Sequence, residues 1–248
     1  MGILDFLRGK PDQIEALDLS WLEVDMHSHL IPGIDDGSKS MEESLELIKR
    51  LSSYGLQKII TTPHIMSEYY KNTPEIISMG LEDLRKAVKA EGISIEIEAA
   101  AEYYMDEIFL EKIKDGKSLL TFGENYILVE TGFINKPQML LETMFQLEMA
   151  GYKPILAHPE RYQYLLADKG LLEDLVDRNI LFQVNLLSLT GFYSKPVKDF
   201  AESLLERDLV KFLGTDCHNV RYLDMLETLP KHKSYSQIKQ VSWMNTSL

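Results

Sequence analysis

From Trp21 onward, short runs rich in β-branched and other apolar residues alternate with longer amphipathic stretches, the pattern of parallel strands joined by helices. Seven strand runs are predicted: LEVDMHSHL, QKIITTPH, ISIEIEAAAE, YILVETGF, KPILAHPE, ILFQVNLLSL and LVKFLGTDCH. Helical periodicity is predicted in MEESLELIKRLSSYG, PEIISMGLEDLRKAVKAEG, KPQMLLETMFQLEMAG, YQYLLADKGLLEDLVDRN and KPVKDFAESLLERD. Several of these open on a proline or a capping residue and close at Gly or Asn; Ser40 with Glu43 reads as a capping box.

Strand starts fall roughly 25 to 40 residues apart, about one βα unit, so the class is α/β and a distorted seven-stranded barrel of the TIM-like kind is the expected architecture. A doubly wound open sheet is the competitor. The polar residues favour a barrel, because five of the seven runs end in or near His, Glu or Asp, and a barrel turns all such ends to one face. A single domain is expected over residues 21–248, after an N-terminal extension of residues 1–20 that reads as a short helix and a Pro-Asp linker.

Composition adds exclusions. No apolar run approaches the roughly 20 residues of a membrane span, so membrane insertion is not expected. The start MGILDFLRGKPDQ lacks the parts of a secretory signal, and the single Cys217 agrees with a reducing compartment, so cytoplasmic residence is expected. A net charge of −13 argues against nucleic acid as a partner. It also means that an anionic substrate needs a strong local positive source, which bound divalent metals would supply.

His27 and His29, two apart in D-M-H-S-H, would project from one face of a strand toward one point. Alone the pair is a weak signal. Four further run ends strengthen it: His64 in T-T-P-H, Glu102 after A-A-A, His158 in A-H-P-E-R, and Asp216 with His218 in T-D-C-H. Glu102 closes an apolar strand that would otherwise bury an unpaired carboxylate, and a metal or a salt bridge to Arg161 would relieve it. Of the adjacent Asp35 and Asp36 in the loop after the H-x-H run, Asp36 is preferred as a ligand.

This order of motifs resembles the PHP superfamily of phosphoesterases. More narrowly, DMHSHLIPGIDDGSKS, TTPH, AEYY, AHPERY, QVN and TDCHN are similar to the bacterial manganese-dependent tyrosine-protein phosphatases of the CpsB and YwqE type, a likeness running from about Val24 to Arg221. The resemblance implies the PHP fold and metal ligands at His27, His29, Asp36, His64, Glu102, His158, Asp216 and His218, with Glu102 bridging. It implies phosphate-binding arginines at Arg161 and Arg221. Two or three divalent ions are implied, Mn first, with Fe, Zn or Co also compatible with such donors. The implied reaction is phosphotyrosine hydrolysis by a metal-activated water, on the tail of a tyrosine kinase controlling capsule or exopolysaccharide synthesis. The rivals are a small-molecule phosphatase of histidinol-phosphate type, an exonuclease, and a non-catalytic metal-binding scaffold or sensor.

Cys217 invites a thiolate mechanism, but TDCHNVR holds no glycine-rich anion loop, and the thiol is expected to point into packing. Tyr69, Tyr70, Tyr103, Tyr104, Tyr162 and Tyr164 are paired beside the metal motifs. They are read chiefly as rim packing, with a minority as walls for a phenol ring. Nothing in the pattern settles the oligomeric state.

Overall fold

The structure, a computed structural model, describes residues 15–248; the helix and linker expected within residues 1–14 lie outside the described residues. Among the described residues nine strands appear: β1 (Val24–Asp25), β2 (Lys58–Thr61), β3 (His64–Ile65), β4 (Glu96–Ala99), β5 (Glu102–Tyr104), β6 (Tyr126–Glu130), β7 (Lys153–Ala157), β8 (Leu181–Asn185) and β9 (Val210–Gly214). All named pairings are parallel, in two sheets of order β1-β2-β4 and β3-β5-β6-β7-β8-β9. The count exceeds seven because two expected runs are each interrupted. Pro63, which has no N–H for a ladder, separates β2 from β3, and Ala100 and Ala101 separate β4 from β5. Backbone bonds span both breaks, Ala100 N–H to the Thr61 carbonyl (2.9 Å) and Glu102 N–H to that of Pro63 (3.2 Å).

The helices are α1 (Met41–Ser53), α2 (Pro74–Ala90), α3 (Glu107–Lys114), α4 (Leu140–Met149), α5 (Gln163–Ala167), α6 (Lys169–Asp177), α7 (Lys195–Glu206), α8 (Val220–Leu226) and α9 (Lys233–Ile238). The Ser40 hydroxyl caps α1 by accepting from Glu43 N–H, while the Glu43 carboxylate reaches the N–H of Lys39. The long helix expected over 162–179 is two, because Asp168 leaves helical geometry and caps α6 by accepting from Leu171 N–H. Leu17 and Leu19, on the extension side of the boundary drawn at Trp21, pack into the main core.

Strand side chains alternate between two apolar clusters. Ile127 and Val129 of β6 join the large cluster under the helices, whereas Tyr126 and Leu128 join a smaller one with Met26, Ile60, Ala100, Ile155 and Phe212. Met244 and Leu248 pack against that inner cluster. Continuing the inward row of each strand by two residues leads from Ala100 to Glu102 and from Leu128 to Glu130. The polar site is therefore the extension of the inner apolar row.

β1 and β9 are not paired as regular strands, yet they are stitched at both levels. Near the polar site Thr215 donates its N–H and hydroxyl to the Asp25 carboxylate (2.9 and 2.6 Å), Asp216 N–H reaches the His27 carbonyl (2.8 Å), and Ser28 and Cys217 form a parallel bridge. Beside the inner cluster the buried Asn245 amide donates to the carbonyls of Val24 (2.9 Å) and Leu213 (2.7 Å) and accepts from Leu213 N–H (3.0 Å). An Asn245→Ala variant would strand these buried groups, and is expected to lose about 2–4 kcal/mol, a fall of roughly 5–12 °C in Tm for a chain this size. Thermal unfolding checks it; an unchanged Tm would mean that Asn245 does not hold the seam.

Candidate metal centre

Glu102 lies fully buried at the middle of the polar site. Its Oε1 is 3.0 Å from His158 Nε2; its Oε2 is 3.2 Å from His27 Nε2, 3.4 Å from His29 Nε2 and 3.1 Å from His64 Nδ1. Asp216 Oδ1 faces His27 Nε2, His29 Nε2 and His218 Nδ1 at 3.3, 3.5 and 3.4 Å. Asp36, half exposed at the mouth, places Oδ1 3.3 Å from His64 Nε2 and 3.6 Å from His218 Nε2. All eight sequence-predicted ligands thus converge. A cavity of about 160 Å³ opens onto most of them, with Arg161, Phe133 and Tyr222 in its wall.

Two of the eight depend on unusual backbone. His158 (φ 33°) and Asp216 (φ 50°) adopt the left-handed region, which costs a side-chain-bearing residue about 1–3 kcal/mol. At His158 the reason is visible: Ala157 already occupies the inward row, so a regular strand would send the imidazole outward. His27 and His29 also depart from expectation, since β1 ends at Asp25 and the pair flanks the single bridge at Ser28 rather than sitting within a strand.

Glu130 belongs to the centre although sequence reasoning passed over it. It is buried, with Oε1 2.9 Å from His64 Nδ1, and groups with His64 and Glu102. Asp35 serves the rings instead: its Oδ2 accepts from His29 Nδ1 (2.8 Å), as Gln183 Oε1 does from His27 Nδ1 (2.8 Å). Each bond assigns a proton to Nδ1 and turns Nε2 toward the carboxylates, the atom a ligating imidazole offers once that nitrogen is deprotonated.

The donor set fits divalent cations. Ligand atoms about 2.0–2.2 Å from one ion stand about 3.0–3.5 Å apart, the spacing found here. Four overlapping groups of ligand atoms share His27, His29, His64 and Glu102 among them. Glu102 Oε2, Glu130 Oε1 and His64 Nδ1 are buried side by side without a hydrogen bond, an expensive arrangement that a cation would relieve. Burial disfavours charge on His64, yet Glu130 and Glu102 beside it prevail and lift the ring to about 10. Burial also opposes ionisation of Glu102, and here His27 and His64 hold the carboxyl well below the usual range. The cage therefore attracts positive charge of any kind.

Arg161 does not pair with Glu102; its Nη1 donates to Asp216 Oδ2 (3.1 Å), which also accepts from Asn185 Nδ2 (2.6 Å). Arg221 is not brought to the cluster. It is exposed on α8 and does not line the cavity, with its guanidinium 5.2 Å from the ring of Phe192, which packs on the cavity residue Tyr222. Cys217 is buried, burial pushes its thiol well above the usual range, and it contributes its carbonyl to His29 N–H. Of the paired tyrosines, Tyr103, Tyr162 and Tyr164 are buried, and their hydroxyls bond Leu120 N–H, Thr131 N–H and the Thr131 hydroxyl. Tyr70 lines the cavity, stacked on His64 at 5.5 Å.

Known proteins resemble this chain over most of its length. Tyrosine-protein phosphatase YwqE of Bacillus subtilis is 31% identical over 201 residues, covering 80% of this chain and 78% of the relative. The crystal structures of YwqE and of CpsB from Streptococcus pneumoniae, described as unique metal-dependent tyrosine phosphatases, include one that superposes with a TM-score of 0.78 at 28% identity, covering 90% of this chain and 89% of that one. Histidinol phosphate phosphatase of Lactococcus lactis, at a TM-score of 0.50 and 15% identity over 84% of this chain and 92% of that one, shares the fold alone. The family described as "Capsular polysaccharide synthesis, CpsB/CapC" matches residues 23–245, and the chain belongs to that family.

Proposed function

We propose that this chain is a metal-dependent protein-tyrosine phosphatase. Its cations would be held by His27, His29, Asp36, His64, Glu102, His158, Asp216 and His218, with Glu130 added to the set. The observation that carries the reading is Glu102, buried among four imidazole nitrogens with an arginine in the wall of the same cavity. Bound there, two or three divalent ions, Mn first, would supply Lewis acidity and a positive field in a chain of net charge −13.

The chain's own groups do the rest. Asp216 divides its carboxylate, Oδ1 toward the imidazoles and Oδ2 toward Arg161, so that the guanidinium is tied to the centre and its remaining N–H groups can take the non-bridging oxygens of a phosphoryl group. Burial opposes charge on Asp36, but His218 and His64 keep it ionised, so it is no proton donor to the leaving group. A phenolate, with a pKa near 10, leaves with little protonation, which favours an aryl over an alkyl ester.

The two sheets are read as one distorted seven-stranded barrel of PHP type in a single domain, supported by the stitching between β1 and β9 and by the bonds across the two strand breaks. A phosphorylated kinase tail in capsule synthesis is the proposed partner, supported by the family's description. Cytoplasmic residence is proposed with it; no described helix is long and apolar enough to cross a membrane.

The test is turnover of the Mn-loaded protein on a phosphotyrosine peptide and on an alkyl phosphate such as histidinol phosphate. A preference for the peptide of about 100-fold or more in kcat/KM is expected from the leaving groups. Equal or reversed preference would favour the small-molecule phosphatase, and no turnover at all would favour the scaffold.

A further inference from the structure

Arg161 ends a short 3-10 turn, Pro159–Arg161, and reaches the centre on a long side chain held by one hydrogen bond, to Asp216 Oδ2. One bond fixes a distance but leaves the plane of the guanidinium free to rotate, and a flexible clamp is a poor one for a phosphoryl group. The structure supplies a second restraint. The Phe133 ring lies 4.3 Å from the guanidinium carbon and the Tyr193 ring 4.4 Å from it, both well inside the roughly 6 Å reach of a cation–π contact.

We propose that Phe133 and Tyr193 are positioning residues that flank Arg161 and aim its unbonded N–H groups into the cavity beside Glu102. The proposal rests on reading that cavity as the phosphate site. The rings come from separate parts of the fold, Phe133 from the loop after β6 and Tyr193 from the turn before α7, so chain proximity does not explain their meeting. Phe133 stays 39% exposed, lines the cavity and stacks against Tyr162 at 6.0 Å. The Tyr193 hydroxyl is buried beside Asn185 and Tyr222, while its face meets the guanidinium. Phe192 stands edge-on against Tyr193 at 5.1 Å and keeps that face turned to the guanidinium.

Four variants test this: Y193L and F133L, which remove a ring, and Y193F and F133Y, which keep one. Each is made alone, and the leucine pair also in an Arg161→Ala background, with metal content and Tm measured throughout. The readouts on Mn-loaded protein are inorganic phosphate binding by calorimetry and kcat/KM on a phosphotyrosine peptide. Each leucine variant is expected to lose about tenfold in both, the ring-keeping variants to recover to within about threefold of the parent, and the leucine changes to cost nothing further once Arg161 is alanine. Undiminished phosphate affinity in F133L, or losses that add to that of Arg161→Ala, would overturn the proposal; F133L decides it even if Y193L fails to fold, because Phe133 lies at the surface. A parent that binds phosphate without turning over phosphotyrosine would sink the phosphatase reading alone, and the phosphate series would still decide the role of the rings.

Discussion

Glu102→Gln is expected to lose about 10³-fold or more in turnover together with most of the bound metal, the largest effect of any single substitution in this chain. The exchange keeps shape and volume, so packing cannot account for the loss. It removes one negative charge from a fully buried atom that lies 3.1–3.4 Å from three imidazole nitrogens. Breaking a buried charge pairing costs about 3–5 kcal/mol, which as a barrier corresponds to two to four orders of magnitude in rate. Metal content by elemental analysis and kcat on a phosphotyrosine peptide check it. A Glu102→Gln protein with full metal and full turnover would mean that the centre is not organised around this carboxylate. Asp35→Asn, which disturbs the orientation of His29 and the bonds from the N–H groups of His64 and Gly37, belongs in the milder range of about 10–100-fold in metal affinity.

Chelation should abolish turnover, and the effect of metal on stability should grow with pH. In the metal-free protein His64 is lifted to about 10 from an ordinary 6.5, because Glu130 and Glu102 outweigh burial. A raised folded value means that the protonated ring stabilises the fold fully below about 6.5, and that this contribution is lost as pH rises through about 10. Metal-free protein is therefore expected to lose stability between pH 7 and 10. Over the same interval metal binding strengthens, since each ligating imidazole must give up its proton first. The gap in Tm between Mn-loaded and chelated protein should widen steadily from pH 6.5 to 9. A gap that stays constant or narrows would show that protons and metal do not compete for these rings.

Much of this was legible because the inward row of each strand carries its chemistry at the end of an apolar run. Glu102 after A-A-A and His64 after I-I-T-T-P stand out for that reason. Glu130 closes Y-I-L-V-E in the same way, two positions beyond Leu128, and the alternation rule applied uniformly would have found it. What failed to show was geometry that no period encodes. The left-handed turns at His158 and Asp216, and the end of β1 before His27, are set by contacts with distant chain such as the Asp25–Thr215 bonds. α8 and α9 are seven and six residues long, too short for periodicity to declare itself, and α3 was likewise passed over despite its cap at Asp106. Arg221 rests on likeness alone; it is exposed beside Phe192 and does not line the cavity.

The seam between β1 and β9 has a consequence for how the molecule matures. Asp25 and Thr215 stand 190 residues apart, so this contact closes a very long loop and is among the slowest to find. His27 and Asp216 sit on opposite lips of that seam and approach to 3.3 Å only when it shuts. An open intermediate would display the ligands without the cage, and ions that grip only the shut form would act as a ratchet, drawing late folding to completion.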